Sequence, residues 1–485
     1  MPQSTYAITE MAANRAIDCL LDYEDPYVQP LIVKAFRSRL PAGCYNIIQS
    51  PEEHKFGPLI QFRSYEALDF DKAVELPNVI INAYVIRKAL IRKHYLSTTC
   101  SHWAVKHPDS KLKAHVKPSV EFELDYAEFL DDALVEAFEL HESFQKNADR
   151  DPKDREWWIL KPGMSDRGQG IKLFSTEEEL QAIFEAWEAE RPDSDDEDEE
   201  DHGHRHDDER TAKIQGADAR SDDGSDGEEA AANGGNGRNL DFSSIQVTQE
   251  QKEYIITSQL RHFIAQPYIH PPLTFDDRKF HIRTYVLAVG ALRVYVYRPM
   301  LALFAAAPYA APWQNSGSDS NDGQPDLRAH LTNTCLQGSD TREGSVRAFW
   351  NLPDQLSASN TPSHAALSAL PEGWKEHVFA QICSVTGEVF EAAARGMMIH
   401  FQPLPQAFEL FGVDYMVDAQ GNAWLLEINA FPDFKQTGDD LKGLVEGLFE
   451  ETVDVAIKPF FQLQGAKPEG TEKLRQVLDI DLGRR

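Results

Sequence analysis

The run FELFGVDYMVDAQGNAWLLEINAFPDF, Phe408 to Phe434, sets two carboxylates inside apolar, strand-like sequence. With Gln420-Gly421 as the centre of a hairpin turn, the register places Asp414 opposite Glu427, and Asn429 two residues further on the same face. Two carboxylates there repel one another and lose hydration, at several kcal/mol each, unless a cation lies between them. Mg²⁺ is the natural cation, a hard ion that takes one or two carboxylates together with nucleotide phosphates. The alternative reading is a structural ion-pair network.

A second run, KFHIRTYVLAV, alternates with period two. Lys279, His281 and Arg283 share one face, and Phe280, Ile282 and Thr284 the other. Cations on one face of an otherwise apolar strand suit an anionic ligand; a half-exposed strand with a solvated polar face is the alternative. A third run, WWILKPGMSDRGQGIKLF, carries apolar residues up to Lys161, stops at Pro162, and loosens at Gly163, Gly168 and Gly170 before extended sequence resumes. Such a loop between two strands can fold over a triphosphate and offer backbone N–H groups, with Lys161 as a point charge. It differs from a Walker loop, which opens a helix with GKS or GKT. An ordinary hairpin with a solvent-facing lysine is the competing reading.

These runs need a scaffold. The chain has 485 residues, 42% of them apolar, enough for two or three lobes around one site. Residues 5 to about 75 mix a short helix with strands. Helices are expected over Val79 to Tyr95 and Tyr126 to Phe144, and an amphipathic one over Thr176 to Glu190, capped by Ser175/Thr176 and apolar at Leu180, Ile183, Phe184 and Trp187. Downstream of Arg155, β-type runs are expected to dominate.

Residues 192–238 hold almost no large apolar side chains. From Asp193 to Glu229 there are 17 acidic residues against 4 Lys/Arg, a net of −13 that leaves −18 of the formal −31 for the rest of the chain. That composition predicts a disordered insertion. Within it, His202, His204 and His206 read as a solvated tract. The overall charge argues against direct nucleic-acid binding, which needs a basic face. No apolar run approaches the roughly 20 residues that cross a bilayer. Five scattered cysteines, none in CxxC spacing, fit reduced thiols and so the cytosol or nucleus, of which a cytoplasmic location is the expectation.

In this order and spacing, the three runs resemble the tubulin–tyrosine ligase family, an offshoot of the ATP-grasp fold. The resemblance is clearest from about Glu156 to the end and weaker over residues 76–150. It implies an α+β architecture with ATP held between two α+β lobes. The expected divisions are an N-terminal domain (1–75), a central domain (76–154) and a C-terminal ATP-grasp domain (155–485). Carried over to this sequence, the family pattern implies that Lys161, Lys279 and Lys88 hold the phosphates, with Gly168 and Gly170 in the covering loop. Adenine would lie against Gln266, Pro267, Tyr268 and Ile269, using the carbonyl of Pro267 and the N–H of Ile269. Thr332 and Asn333 match a nucleotide and substrate loop, Asp414, Glu427 and Asn429 the Mg²⁺ set, and Arg283 and Arg298 the arginines that orient a substrate tail.

One departure stands out. Where the family reads KFDIR this chain reads KFHIR, so His281 replaces an aspartate that helps to hold the nucleotide. The variant resembles fungal members, including the ligase-like portion of a processing-body-associated protein. The implied activity is ATP- and Mg²⁺-dependent ligation of an amino acid to a protein carboxylate, on a C-terminal tail such as that of tubulin. Lys279, Arg283, Arg298 and Glu427 would be the catalytic set. The competing expectation is an ATP-binding module without ligation, acting through protein partners in a cytoplasmic mRNA-turnover assembly.

Overall fold

The computed structural model describes residues 16–163, 169–190, 261–314, 325–332, 345–354, 370 and 372–483. The acidic insertion expected over 192–238 lies outside them.

The first sheet grows from short β-branched and apolar runs: β1 (Ile17–Asp22), β2 (Tyr45–Ile48), β3 (Leu59–Arg63) and β4 (Val79–Ile81). All pairs are parallel, in the order β2-β1-β3-β4, so each connection must cross over. Helix α1 (Gln29–Arg39) makes the first crossover and buries Leu31, Ile32, Ala35 and Phe36. The expected end of this lobe at residue 75 comes too early, because β4 completes the sheet. The expected helix Val79 to Tyr95 is likewise replaced. Val79, Ile80 and Ile81 pair with Leu59, Ile60 and Gln61 as a buried strand. Two helices follow, α2 (Lys88–Ile91) and α3 (Lys93–Lys106), separated at Arg92, whose backbone is extended.

The second sheet is antiparallel: β5 (Val120–Glu123), β6 (Trp158–Pro162), β7 (Lys172–Phe174) and β8 (His262–Pro267), in the order β5-β8-β6-β7. Helices α4 (Phe138–Asn147) and α5 (Glu177–Ala189) share its core, in which Phe122, Phe144, Trp158, Phe184, Trp187 and Phe263 are buried. The start of α5 follows its sequence signal, the Thr176 side chain accepting from the Glu179 N–H at 3.2 Å. The helix expected from Tyr126 to Phe144 is broken into a 3-10 turn at Ala127–Phe129, a helical turn at Leu130–Ala133, and α4. Buried Leu134 and Ala137 anchor the interruption. A division at 154/155 cuts through this lobe, since Val120 pairs with Ala265 on β8 and β8 pairs with β6.

The third sheet is built on one long strand, β10 (Arg278–Val289). It takes β9 (Thr274–Phe275), β11 (Arg293–Tyr297), β12 (Leu301–Phe304) and β14 (Phe408–Val417) as direct neighbours. The outer strands β13 (Val346–Ala348), β15 (Ala423–Ala430) and β16 (Leu474–Asp479) pair with β12, β14 and β11 respectively. One face is covered by α6 (Trp374–Gly396), a helix that the expectation of mainly β-type sequence missed. Its Val378, Ile382, Val385, Thr386 and Val389 are β-branched, but burial of Trp374, Val378, Phe379, Ile382 and Val389 follows the helical period. The other face packs α7 (Lys442–Thr452) and α1, which joins the first lobe to the third in one apolar core.

Candidate functional site

The cleft lies between the second and third sheets and encloses about 980 Å³ of space, counting its mouth. The long strand β10 supplies one wall. Its alternation buries Phe280 and Ile282 in the core beneath α6 and turns Lys279 and His281 into the cleft. The β14–β15 hairpin supplies the floor. Asp414 pairs with Glu427, as the sequence implies, but by a different route. Next to the turn Val417 pairs with Ala423, and a bulge between Asp414 and Tyr415 shifts the register by one residue before Asp414 is reached. Asp414, Glu427 and Asn429 all line the cavity.

The third wall is β6 and β8. Lys161 reaches in from β6 and donates to the Gln266 side-chain oxygen at 2.9 Å. Pro267, Tyr268 and Ile269 continue the wall. The Tyr268 N–H is used by the Trp157 carbonyl at 2.8 Å. Alternation then turns the Pro267 carbonyl away from β6, beyond the end of the paired stretch of β5.

Lys279 is buried and Lys161 half-buried, each beside a neutral partner. Lys279 donates to the Tyr268 hydroxyl at 3.1 Å and lies 4.4 Å from that ring's centroid. Burial, with Lys161 adding repulsion, pushes Lys279 down to about 7. Lys161 is pushed down to about 8 by burial, opposed by Glu427 and reinforced by Lys93. An anionic ligand would restore both charges.

His281 is neutral for the same reason: burial holds it below the ordinary imidazole range. Its Nδ1 meets the Thr332 hydroxyl at 2.5 Å, and its Nε2 lies 3.7 Å from Asp414 Oδ1 with no hydrogen bond. Arg283 sits directly opposite Asp414 and donates to both its oxygens, from Nε and, at 2.9 Å, from Nη2. Burial opposes ionisation of Asp414, yet the Arg283 guanidinium beside it holds its carboxyl below the usual range. Arg283 is therefore an internal partner of Asp414 and does not line the cavity.

Other expectations are corrected. Lys88 is exposed at the start of α2. The cleft lysine is Lys93, five residues on, at the start of α3. Arg298 stands on the face covered by α6, ion-paired with Glu376 and 4.1 Å from the Trp350 ring centroid, so it does not reach the cleft. His330 was also missed, although it opens the same HLTNT run. It bonds the Tyr268 hydroxyl at 2.8 Å, its Nε2 has no hydrogen bond, and burial with Lys279 pushes it down to about 3. Ile159, Ile171, Met416 and Leu426 complete the apolar lining. Gly170, at φ +67, sits in the turn two residues before β7, while Gly168 and Asn333 lie outside the described residues.

A wall of lysines facing two carboxylates across an apolar slot suits a polyanionic ligand such as a nucleotide. The tubulin–tyrosine ligase family model matches residues 105–464, and the chain belongs to that family. It is 39% identical over 453 residues to a probable tubulin–tyrosine ligase of Schizosaccharomyces pombe, covering 93% of this chain and 94% of the relative. It is 42% identical over 410 residues to the probable tubulin–tyrosine ligase PBY1 of Saccharomyces cerevisiae, covering 83% of this chain but only 46% of that protein. The crystal structure of the C-terminal domain of K. lactis Pby1 superposes with a TM-score of 0.62 at 31% identity, over 96% of this chain and 99% of that one. That domain is described as an ATP-grasp enzyme interacting with the mRNA decapping enzyme Dcp2. The fold is the ATP-grasp fold.

The donor set fits Mg·ATP. Lys93, Lys161 and Lys279 line the cleft together and offer positive charge to a polyanion. Asp414, Glu427 and the Asn429 amide offer oxygen ligands, with Asn429 Nδ2 donating to Glu427 at 3.0 Å. Among the described residues no group of three or more His, Cys, Asp or Glu forms a metal site by itself, so a cation here would need phosphate oxygens as well.

Proposed function

We propose that this protein binds ATP with Mg²⁺ and joins an amine to a protein carboxylate. One observation carries the reading: Lys279 is buried and Lys161 half-buried, both depressed in pKa and bonded to neutral groups, beside the paired carboxylates Asp414 and Glu427. The lysines leave such a cleft electrostatically incomplete without a polyanion, and a cation carried by that polyanion would find oxygen ligands at Glu427 and Asn429 beside the Arg283-paired Asp414. Lys161, Lys279 and Lys93 would hold the phosphates, and Asp414, Glu427 and Asn429 the metal. Bound Mg²⁺ would supply charge neutralisation as the γ-phosphoryl group passes to the acceptor carboxylate. The amine nitrogen then attacks the activated carbonyl carbon, the C–N bond forms, the C–O bond to phosphate breaks, and the amine gives up a proton. With Arg298 on the far face and Arg283 committed to Asp414, acceptor recognition falls to other groups than the two arginines implied by resemblance. Tubulin tails belong among the acceptors to try. A cytoplasmic setting is part of the proposal, supported by the free state of Cys19, Cys44, Cys100 and Cys383.

A second reading is favoured by His281 and by the likeness to a decapping-associated domain: an ATP-binding module that works through protein partners in mRNA turnover. Incubation with Mg·ATP, hydroxylamine and peptides ending in free carboxylates separates the two. The ligase reading expects ADP and peptide hydroxamate in equal amounts. ATP binding with no hydroxamate on any peptide would overturn it in favour of the module.

A further inference from the structure

Eleven large apolar side chains are exposed among the described residues, and four of them fall between Tyr126 and Phe138: Tyr126 at 45%, Phe129 at 48%, Val135 at 63% and Phe138 at 72%. Single exposed apolar residues are ordinary, but a group of them rimmed by charge marks a surface that meets something. The fold sets their direction. Ala127, Leu130, Leu134, Ala137 and Leu140 of the same stretch are buried in the core of the second lobe, so the 3-10 turn, the helical turn and the start of α4 turn the side chains between them outward. The Tyr126 and Phe129 rings meet edge to face, with centroids 6.3 Å apart. A tight turn, closed by the Ala137 N–H donating to the Leu134 carbonyl at 2.8 Å, carries Val135 and leads into Phe138.

The patch lies on the back of the lobe. Along β6, Trp158 and Leu160 point into the core shared with α4 and α5, whereas Ile159 and Lys161 point into the cleft. The helical layer therefore covers the sheet face away from the cleft, and a partner seated on the patch leaves the cleft open.

Its rim has one sign. From Asp125 to Glu142 the chain carries seven acidic residues and no Lys or Arg. Asp125 pairs with Arg261 at 2.8 Å and Glu142 with Lys146 at 3.0 Å. Glu128, Asp131, Asp132, Glu136 and Glu139 are exposed and, among the described residues, form no ion pair. The acidic insertion is tethered beside this rim, because Glu188 near the end of α5 accepts from the Ala127 N–H and Arg261 opens β8. With a net charge of −13 from Asp193 to Glu229 and −31 over the whole chain, neither that stretch nor a second copy suits the patch. Nucleic acid and anionic lipid fail on the same ground.

We propose that this patch docks a basic segment of another protein, one that presents two or three large aliphatic or aromatic side chains among lysines and arginines. The apolar side chains cover Tyr126, Phe129, Val135 and Phe138, and the cations meet the five carboxylates of the rim. This goes beyond the reading of the cleft and holds whether or not the cleft ligates.

The test uses the full chain and fluorescein-labelled helical peptides, titrated by anisotropy. The probe peptide has leucine and phenylalanine on one face and lysine and arginine on the other. One control keeps the apolar face and replaces the cations by glutamate; a second keeps the cations and replaces the apolar residues by serine. The probe is expected to bind about tenfold more tightly than either control, with hydrogen-exchange protection over Tyr126 to Glu142 and with ATP affinity unchanged. The exposed double variant Val135→Ser with Phe138→Ser should lower its affinity by a similar factor at unchanged melting temperature. The same change at another exposed apolar pair, Met398→Ser with Ile399→Ser, should not. Equal binding of the probe and either control, protection confined to the cleft, or two double variants that act alike would overturn the assignment. Self-association in sedimentation that the Val135→Ser, Phe138→Ser variant abolishes would overturn it in favour of a second copy.

Discussion

Two clusters of buried charge sit on opposite sides of the third sheet's junctions, and they differ in balance. At the join of α1 with the chain after α7, Asp454 is almost fully buried but faces three cations: Lys458 at 2.6 Å, Arg39 at 3.4 Å and Lys467 at 3.6 Å. The Lys458 contact is one of charge, its angles leaving Oδ1 without a hydrogen bond. In the cleft, by contrast, Lys161 and Lys279 bond to an amide oxygen and a phenol. The first cluster is closed and holds the lobes together. The second is open, its charge disfavoured until something anionic arrives, and an unbalanced buried charge marks a site where a balanced one marks a joint.

The largest effect is expected at the closed cluster. Asp454→Ala leaves Lys458 buried without its carboxylate, while Arg39 keeps Glu450 at 2.7 Å, and should lower stability in urea denaturation by about 3 kcal/mol. ATP affinity, measured by calorimetry on the folded variant, should not change. A loss of ATP binding in step with stability would erase the distinction between the clusters.

The open cluster should respond in the opposite way. Lys161→Met and Lys279→Met each remove a charge-assisted phosphate contact of about 1.5–3 kcal/mol, so ATP affinity should fall by at least tenfold in each. Stability should hold or rise, because a poorly hydrated cation with neutral partners is replaced by a chain of similar shape. If either variant binds ATP normally, that lysine is an ordinary core residue.

A pH series sharpens the same contrast. Lys279 titrates near 7 and Lys161 near 8 in the free protein, against 10.5 for exposed lysine. ATP restores their protonated forms, so binding takes up protons and affinity should fall as pH rises from about 7 to 9. Heats measured in buffers of different ionisation enthalpy would show the uptake. For folding the sign is reversed from that of a salt-bridged lysine. Between 7 and 10.5 the unfolded chain binds more protons, and the contribution of Lys279 to stability becomes less unfavourable as pH climbs.

The cleft was legible where strand periodicity governs it. Alternation along β10 and pairing across β14 and β15 need no more than local pattern, and the bulge that corrected the register happened to compensate for the misplaced turn centre. Helical segments were less legible. Ile86-Arg87-Lys88 and Ile91-Arg92-Lys93 repeat the same tripeptide, and only the extended backbone at Arg92 decides that Lys93 faces the cleft while Lys88 faces solvent. Arg298 looked like a substrate arginine because its partners, Glu376 and Trp350, are distant in sequence. The same holds for the first lobe, whose boundary depends on strand order that composition does not reveal.

The smallest effect concerns the position at which this chain departs from its family. His281 is neutral, bonded to Thr332, and stands 3.7 Å from the Arg283–Asp414 pair, so it adds no negative charge to a site where Asp414 is already satisfied by Arg283. An aspartate there would make a third carboxylate beside Asp414 and Glu427. Without metal the three would repel; with Mg²⁺ and phosphate present, the added oxygen would become a ligand or would orient one. His281→Asp should therefore lower the melting temperature of the ATP-free protein slightly and steepen the Mg²⁺ dependence of ATP affinity, by about 1 kcal/mol, the worth of one hydrogen-bonded contact. His281→Asn, polar but uncharged, controls for the loss of the imidazole and should leave the Mg²⁺ dependence where it is. Equal Mg²⁺ dependence in the histidine, asparagine and aspartate forms would mean that the cation sits away from Asp414, and that the cleft's incompleteness is answered by phosphate alone.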